Sequence, residues 1–133
     1  MSEELDAGTL DFAHQVFELA REGDTAQLTA YVDEGVPVNL TNDKGDTLLI
    51  LAAYHDHPET VAALLERGAD TSRLNERGQS ALAAAVFRRS ERSVLAMMAA
   101  GADPTHGDPS AADMARFFDL PEMTALLTRG DPP

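Results

Sequence analysis

The chain repeats itself at an interval of 33 residues, and this repeat constrains its fold more than any other feature of the sequence. Residues 64–70 (LLERGAD) return as residues 97–103 (MMAAGAD), and Gly45 returns as Gly78 at the same interval. A period of about 20 to 50 residues is typical of solenoids, in which each unit packs against its neighbours. We therefore expect several copies of one small unit stacked in sequence order.

The sequence pattern of each unit predicts two short helices joined by a turn. Thr47 and Ser80 are expected to cap the first helices of the two middle units, and Pro58 opens a second helix where its missing N–H is not needed. Further helix starts are predicted at Asp24, Ser90 and Pro121. The second helices are expected to end at glycines suited to a left-handed C-cap, Gly35, Gly68, Gly101 and Gly130. Turn residues predict loops over residues 36–46, 69–79 and 102–109.

A 33-residue unit that begins with Gly-x-Thr/Ser and ends with Leu-Leu-x-x-Gly-Ala-Asp resembles the ankyrin repeat, most clearly over residues 42–74 and 75–104. The resemblance implies an all-α ankyrin-repeat solenoid of about four stacked helix–turn–helix repeats, joined by β-hairpin-like loops and with atypical terminal repeats. The predicted domain covers residues 10–130, between an acidic N-terminal tail (1–9) and a C-terminal tail (131–133). Its predicted repeats are approximately 10–41, 42–74, 75–104 and 105–130.

The chain departs from the Thr-Pro-Leu-His sequence with which the first helix of an ankyrin repeat typically starts. The proline position holds Leu48, Ala81 and Ala111, and the histidine position holds Ile50, Ala83 and Asp113. The hydrogen bonds that Thr and His make between repeats in the family are therefore in question for this chain. We expect apolar packing to replace them at Ile50 and Ala83.

Composition excludes several classes of protein. The 133 residues include 23 acidic and 10 basic side chains, a formal charge of −13, which disfavours binding to nucleic acid or to an anionic membrane. Cysteine is absent, so disulfides, zinc fingers and cysteine nucleophiles are excluded. There is no apolar run of about 18 residues, and no basic segment typical of a secretory signal opens the chain. We expect a cytoplasmic protein.

The resemblance implies that a protein partner binds the concave face, which the hairpin tips and first helices form. At the ends of the first helices the candidate residues are Tyr54, His55, Phe87, Arg88 and, in the contracted fourth repeat whose register is less firm, Phe117 with Phe118 beside it. At the hairpin tips they are Lys44, Asp46, Arg77 and Gln79. We expect a non-catalytic module with no cofactor, because the sequence contains none of the common nucleophile, phosphate-loop or metalloprotease motifs.

Three of the seven aromatic residues, Tyr54, Phe87 and Phe117, occupy one equivalent position in successive repeats. Exposed aromatics with an arginine beside them are typical of binding hot spots. Two interpretations stay open, since the rings could form an apolar strip on the concave face or fill gaps between helices.

Charge is unevenly distributed along the chain. Residues 1–66 carry a net charge of −12 and residues 67–133 a net charge of −1. In a solenoid this becomes a gradient along the long axis, which could orient a partner, drive self-assembly of a structural protein, or only keep the surface soluble. We expect a monomer, with weak self-association as the alternative.

One histidine cluster, His55-Asp56-His57, resembles a metal or ligand site. Histidines two residues apart are a poor helical chelate, and the sequence places no third ligand beside them. We therefore favour a structural interpretation, in which His57 or Asp56 caps the helix that Pro58 opens, over a metal- or ligand-responsive protein.

Overall fold

The computed structural model describes residues 7–128, which form eight helices arranged as four successive pairs. The helices are α1 (Ala7–Glu22), α2 (Thr25–Asp33), α3 (Leu48–Tyr54), α4 (Pro58–Glu66), α5 (Ala81–Phe87), α6 (Glu91–Ala99), α7 (Ala111–Phe117) and α8 (Pro121–Leu127). No strand occurs within this range, so the predicted all-α class is confirmed.

The helices form two layers. The first helices of the pairs stack in the order α1, α3, α5, α7, and the second helices stack in the order α2, α4, α6, α8. Each pair packs mainly against the pairs before and after it, as expected of a solenoid. The predicted repeat stack is confirmed.

Local sequence signals begin and end these helices as predicted. The hydroxyl of Thr47 accepts a hydrogen bond from the N–H of Ile50 at 3.0 Å, and that of Ser80 accepts one from the N–H of Ala83 at 3.0 Å. Pro58 and Pro121 are the first residues of α4 and α8. The glycines that follow α2, α4 and α6 have positive φ, as the predicted C-caps require. Gly130 lies outside the described residues.

The core runs between the layers without interruption. It contains the buried leucines of the middle repeats and the small residues of α3, α5 and α7, which let neighbouring helices approach closely. Ile50 and Ala83 are both buried, as expected of positions where packing replaces the hydrogen bonds of the family motif.

Hairpin-like loops connect the helix pairs. Each is closed by an isolated antiparallel bridge, namely Thr41–Thr47, Leu74–Ser80 and Gly107–Ser110. Successive loops are also joined to each other by backbone hydrogen bonds of 3.0 Å, from the N–H of Glu76 to the carbonyl of Lys44 and from the N–H of Asp108 to the carbonyl of Gly78. The three loops therefore form a connected ridge along one side of the first helices.

The first helix differs from the predicted boundary. It begins at Ala7, within the segment assigned to an acidic tail, and includes Asp11, which is exposed on its surface. The early start has a packing reason, since the ring of Phe12 meets that of Tyr31 edge-on with centroids 5.0 Å apart. The rest of the two predicted tails lies outside the described residues.

Among the helices of residues 7–128, none is long and apolar enough to cross a membrane.

Candidate protein-binding groove

A groove of about 880 Å³ lies along the concave face of the stack. The hairpin loops form one side, and the first helices α1, α3 and α5 form its floor and opposite side. Most of the predicted site residues line it, namely Lys44, Asp46, Tyr54, His55, Arg77, Gln79 and Phe87. Arg88 and Phe117 do not line this groove, although Arg88 directly follows α5 as its C-cap.

Two aromatic rings lie side by side in the groove. Tyr54 and Phe87 end α3 and α5, and their rings are nearly parallel, with centroids 6.0 Å apart and an interplanar angle of 16°. Tyr54 is 40% exposed and Phe87 is 45% exposed, so neither ring is absorbed into the core. These exposed fractions favour the strip interpretation over the filling of gaps between helices.

The third ring of the strip is Phe118, which the sequence offered beside Phe117 in the fourth repeat, although repeat spacing had placed Phe117 at the equivalent position. Its centroid lies 6.3 Å from that of Phe87, whereas Phe117 is 82% exposed and meets Phe118 edge-on at 4.9 Å. Phe117 and Phe87 lie equally far after the N-cap residues of their helices, so spacing makes them equivalent. The interval between successive N-cap residues is, however, three residues shorter before the fourth repeat than before the third. In the structure it is Phe118, the C-cap residue of α7, that continues the strip. We name Tyr54, Phe87 and Phe118 the aromatic strip.

Some side chains at the hairpin tips make hydrogen bonds that hold the loops in place, and others are exposed. Asp46 is buried, and its carboxylate accepts a hydrogen bond of 2.8 Å from the side-chain amide of Asn75, which also donates to the side chain of Gln79 at 2.9 Å. Asp46 thus joins adjacent loops through Asn75, whereas Gln79 is bonded to Asn75 within its own loop; the sequence had placed both with the partner-facing residues. Lys44 and Arg77 are exposed. The sequence did not indicate a role for Asn75, because asparagine is common in turns and the contact joins the third repeat to Asp46 in the second.

The other side of the groove, where the helix pairs turn, carries the histidine cluster. The Nε2 of His57 lies 2.6 Å from the carbonyl oxygen of Arg21, and the ring packs against the backbone of Gly23. His57 is the N-cap residue of α4 but its side chain makes no capping hydrogen bond, and Asp56 lies in the turn with φ of 63°. The predicted N-cap position of His57 is confirmed, but its side chain does not cap the helix, because the ring instead joins the second repeat to the end of α1. Within residues 7–128, no three His, Cys, Asp or Glu side chains come together in a potential metal site.

Positive charge surrounds His55 on this side. Partial burial lowers the pKa of His55, and the neighbouring Arg21, His57 and Arg88 lower it further, against a smaller opposite effect of Glu18. Neutral imidazole is therefore favoured at this site near neutral pH. Arg21 forms an ion pair of 3.2 Å with Glu18, whereas Arg88 has no ion pair with any residue between 7 and 128.

Comparisons with known proteins agree with this architecture. A sequence model described as ankyrin repeats, in three copies, matches residues 16–108. The chain is 52% identical over 58 residues to a Pseudomonas aeruginosa protein described by name as an ankyrin repeat protein. That alignment covers 44% of this chain and 34% of the relative, so the chain spans about a third of the relative's length.

Proposed function

The chain belongs to the ankyrin repeat family, whose members are generally protein-interaction modules and typically non-catalytic, and we propose that it binds a protein partner in the concave groove without catalysing a reaction. The proposed partner is a cytoplasmic protein, in keeping with the expectation from composition. The contact residues are the aromatic strip, with the cationic tips Lys44 and Arg77 and the adjoining His55 and Arg88.

The stacked pair of Tyr54 and Phe87 carries the proposal. Large aromatic side chains at the centre of a concave surface are the residues that most often supply binding energy, since they bury much area and lose little rotamer entropy. Here two such rings are close to half-exposed and touch each other inside one groove. A partner side chain that covers both rings removes their exposed faces from water in a single contact.

The groove is also built to change little on binding. Tyr54 and Phe87 lie at the ends of helices whose other residues are buried, and the facing loops are joined by backbone hydrogen bonds. A preorganised surface loses less conformational entropy when the partner binds, so more of the contact free energy appears as affinity.

The first test compares partner capture by three immobilised forms of the protein from extracts of the cells that make it. The forms are wild type, the double variant Tyr54→Ala/Phe87→Ala, and the matched control Phe12→Ala/Leu95→Ala, which also removes two exposed apolar side chains but outside the groove. We expect quantitative mass spectrometry to find a partner retained by wild type and the control and lost from the groove variant. Circular dichroism verifies that all three forms are folded.

A second measurement locates the contact directly. A photo-crosslinking amino acid at position 87 is expected to couple covalently to the captured partner, whereas the same group at position 95, an exposed leucine of α6, is not. The proposal is refuted if the folded groove variant retains the partner as well as wild type does, or if crosslinking occurs at position 95 and not at position 87.

A further inference from the structure

The groove concentrates positive charge in a chain that is strongly acidic overall. Its lining includes three cations, Arg21, Lys44 and Arg77, against two carboxylates, Asp43 and Asp46, although acidic side chains outnumber basic ones 23 to 10 in the whole sequence. One group of each sign is already engaged, since Asp46 accepts a hydrogen bond from Asn75 and Arg21 is paired with Glu18. The remaining charges of the lining are Lys44 and Arg77 against Asp43. The local balance in the groove is therefore opposite in sign to that of the chain.

Cations occupy both sides of the groove. On the loop side, Lys44 and Arg77 lie on adjacent hairpin tips whose backbones are joined by the hydrogen bond between Glu76 and Lys44. On the side where the helix pairs turn, Arg21 lines the groove beside His55, and Arg88, which follows α5 just outside the lining, also lies near His55. Lys44, Arg77 and Arg88 form no ion pair with any residue of the described range 7–128, so their charges are available to a ligand.

Two rings of the aromatic strip, Tyr54 and Phe87, line the same groove as these cations, and Phe118 continues the strip beyond Phe87. The ring centroids of the strip are separated by 6.0 Å and 6.3 Å. Side chains on one face of a peptide recur at about 6 Å, whether one turn apart on a helix or two residues apart in an extended chain. Two apolar side chains of one peptide segment can therefore lie against the strip together.

We propose that the groove takes an acidic peptide segment of the partner protein, with two apolar side chains on the aromatic strip and carboxylates directed to the cations on either side. This inference rests on the proposed function and specifies the chemistry of its partner. The overall charge of −13 does not oppose it at contact distance, because physiological salt screens charges beyond about 8 Å. The pairs formed inside the groove then decide which segment binds.

The test starts from a random-sequence peptide library displayed on phage and selected on immobilised wild-type protein. We expect the selected peptides to be enriched in Asp and Glu around paired apolar residues. One such peptide, made synthetically with a fluorescent label, is then titrated by fluorescence anisotropy against variants of the protein.

Reversing charges inside and outside the groove distinguishes ion pairs made in the groove from the effect of the protein's overall charge. Lys44→Glu/Arg77→Glu is expected to weaken binding of the peptide at least about fivefold, the effect of losing two exposed ion pairs. The matched control Arg89→Glu/Arg92→Glu changes the net charge equally at exposed residues that do not line the groove, and is expected to stay within about twofold of wild type. Tyr54→Ala/Phe87→Ala is expected to abolish binding, and thermal melts verify that each variant is folded.

The outcomes separate this inference from the function on which it rests. Peptides that need Tyr54 and Phe87 but show no acidic enrichment, or that respond equally to the two charge reversals, overturn the acidic-segment inference and leave groove binding standing. Peptides that bind Tyr54→Ala/Phe87→Ala as well as wild type overturn groove binding itself. A library that yields no binder overturns the inference that a linear segment occupies the groove.

Discussion

The contact between Gly23 and His57 shows how one residue couples two repeats. Gly23 has φ of 76°, and a Cβ added there would lie 2.5 Å from the Nδ1 of His57. Gly68 has φ of 86° with open space around it, so the same substitution there tests backbone strain alone. We expect Gly68→Ala to cost about 1 kcal/mol of unfolding free energy, and Gly23→Ala about 1–3 kcal/mol more because the ring must move.

Urea denaturation of both variants measures this difference. If the ring of His57 is the cause, adding His57→Ala to Gly23→Ala should recover part of the excess cost, as in a double-mutant cycle. Equal costs for the two glycine variants would contradict the contact.

Contacts between individual side chains of different repeats were also the features that the sequence predicted least well. The positions of Tyr54 and Phe87 followed from counting along each repeat, because the repeats have equal length there. Which of Phe117 and Phe118 lies next to Phe87 depends on how the helices stack, and the hydrogen bond that Asp46 accepts comes from Asn75, 29 residues further along the chain. Neither contact leaves a signal in local spacing.

At the scale of elements, each of the first two hairpin loops is organised by one asparagine. The Oδ1 of Asn42 accepts from the N–H groups of Lys44 and Asp46, both at 2.9 Å, and that of Asn75 accepts likewise from Arg77 and Gln79 at 2.9 and 3.0 Å. Asn75 alone of the two also donates to a buried carboxylate of the neighbouring loop, that of Asp46. The two residues are equivalent in the repeat, so they form a natural pair for comparison.

We expect Asn75→Ala to destabilise the protein by about 2–4 kcal/mol and Asn42→Ala by about 1–2 kcal/mol, because only the first leaves a buried polar group without its partner. Chemical denaturation followed by circular dichroism measures both. Equal losses would show that the link between adjacent loops contributes nothing beyond the loop itself.

Helix starts and ends were the features that sequence predicted best. Thr47, Ser80 and Pro58 act within one turn of their own helix, so their effect does not depend on the stack. The start of α1 at Ala7 was missed because no repeat motif in the sequence marks it.

At the scale of the whole molecule, the charge distribution decides between a free module and a self-assembling one. Residues 1–66 carry −12 and residues 67–133 carry −1, and because the stack keeps sequence order, the described parts of these halves (7–66 and 67–128) lie towards opposite ends. Neither half is positive overall, and a head-to-tail contact would bring a strongly acidic end against one that is close to neutral. Against this stands the general repulsion between two copies that each carry −13.

We therefore expect a monomer, with no growth of the sedimentation coefficient between about 500 and 50 mM salt, a range over which screening lengths increase from about 4 to 14 Å. Sedimentation velocity at several protein concentrations measures this. The variant Arg89→Glu/Arg92→Glu removes exposed cations of the third repeat and is expected to behave as wild type. Larger species that form at low salt in wild type and vanish in this variant would instead favour electrostatic self-assembly, because only local pairing of those arginines with an acidic end could overcome the net repulsion.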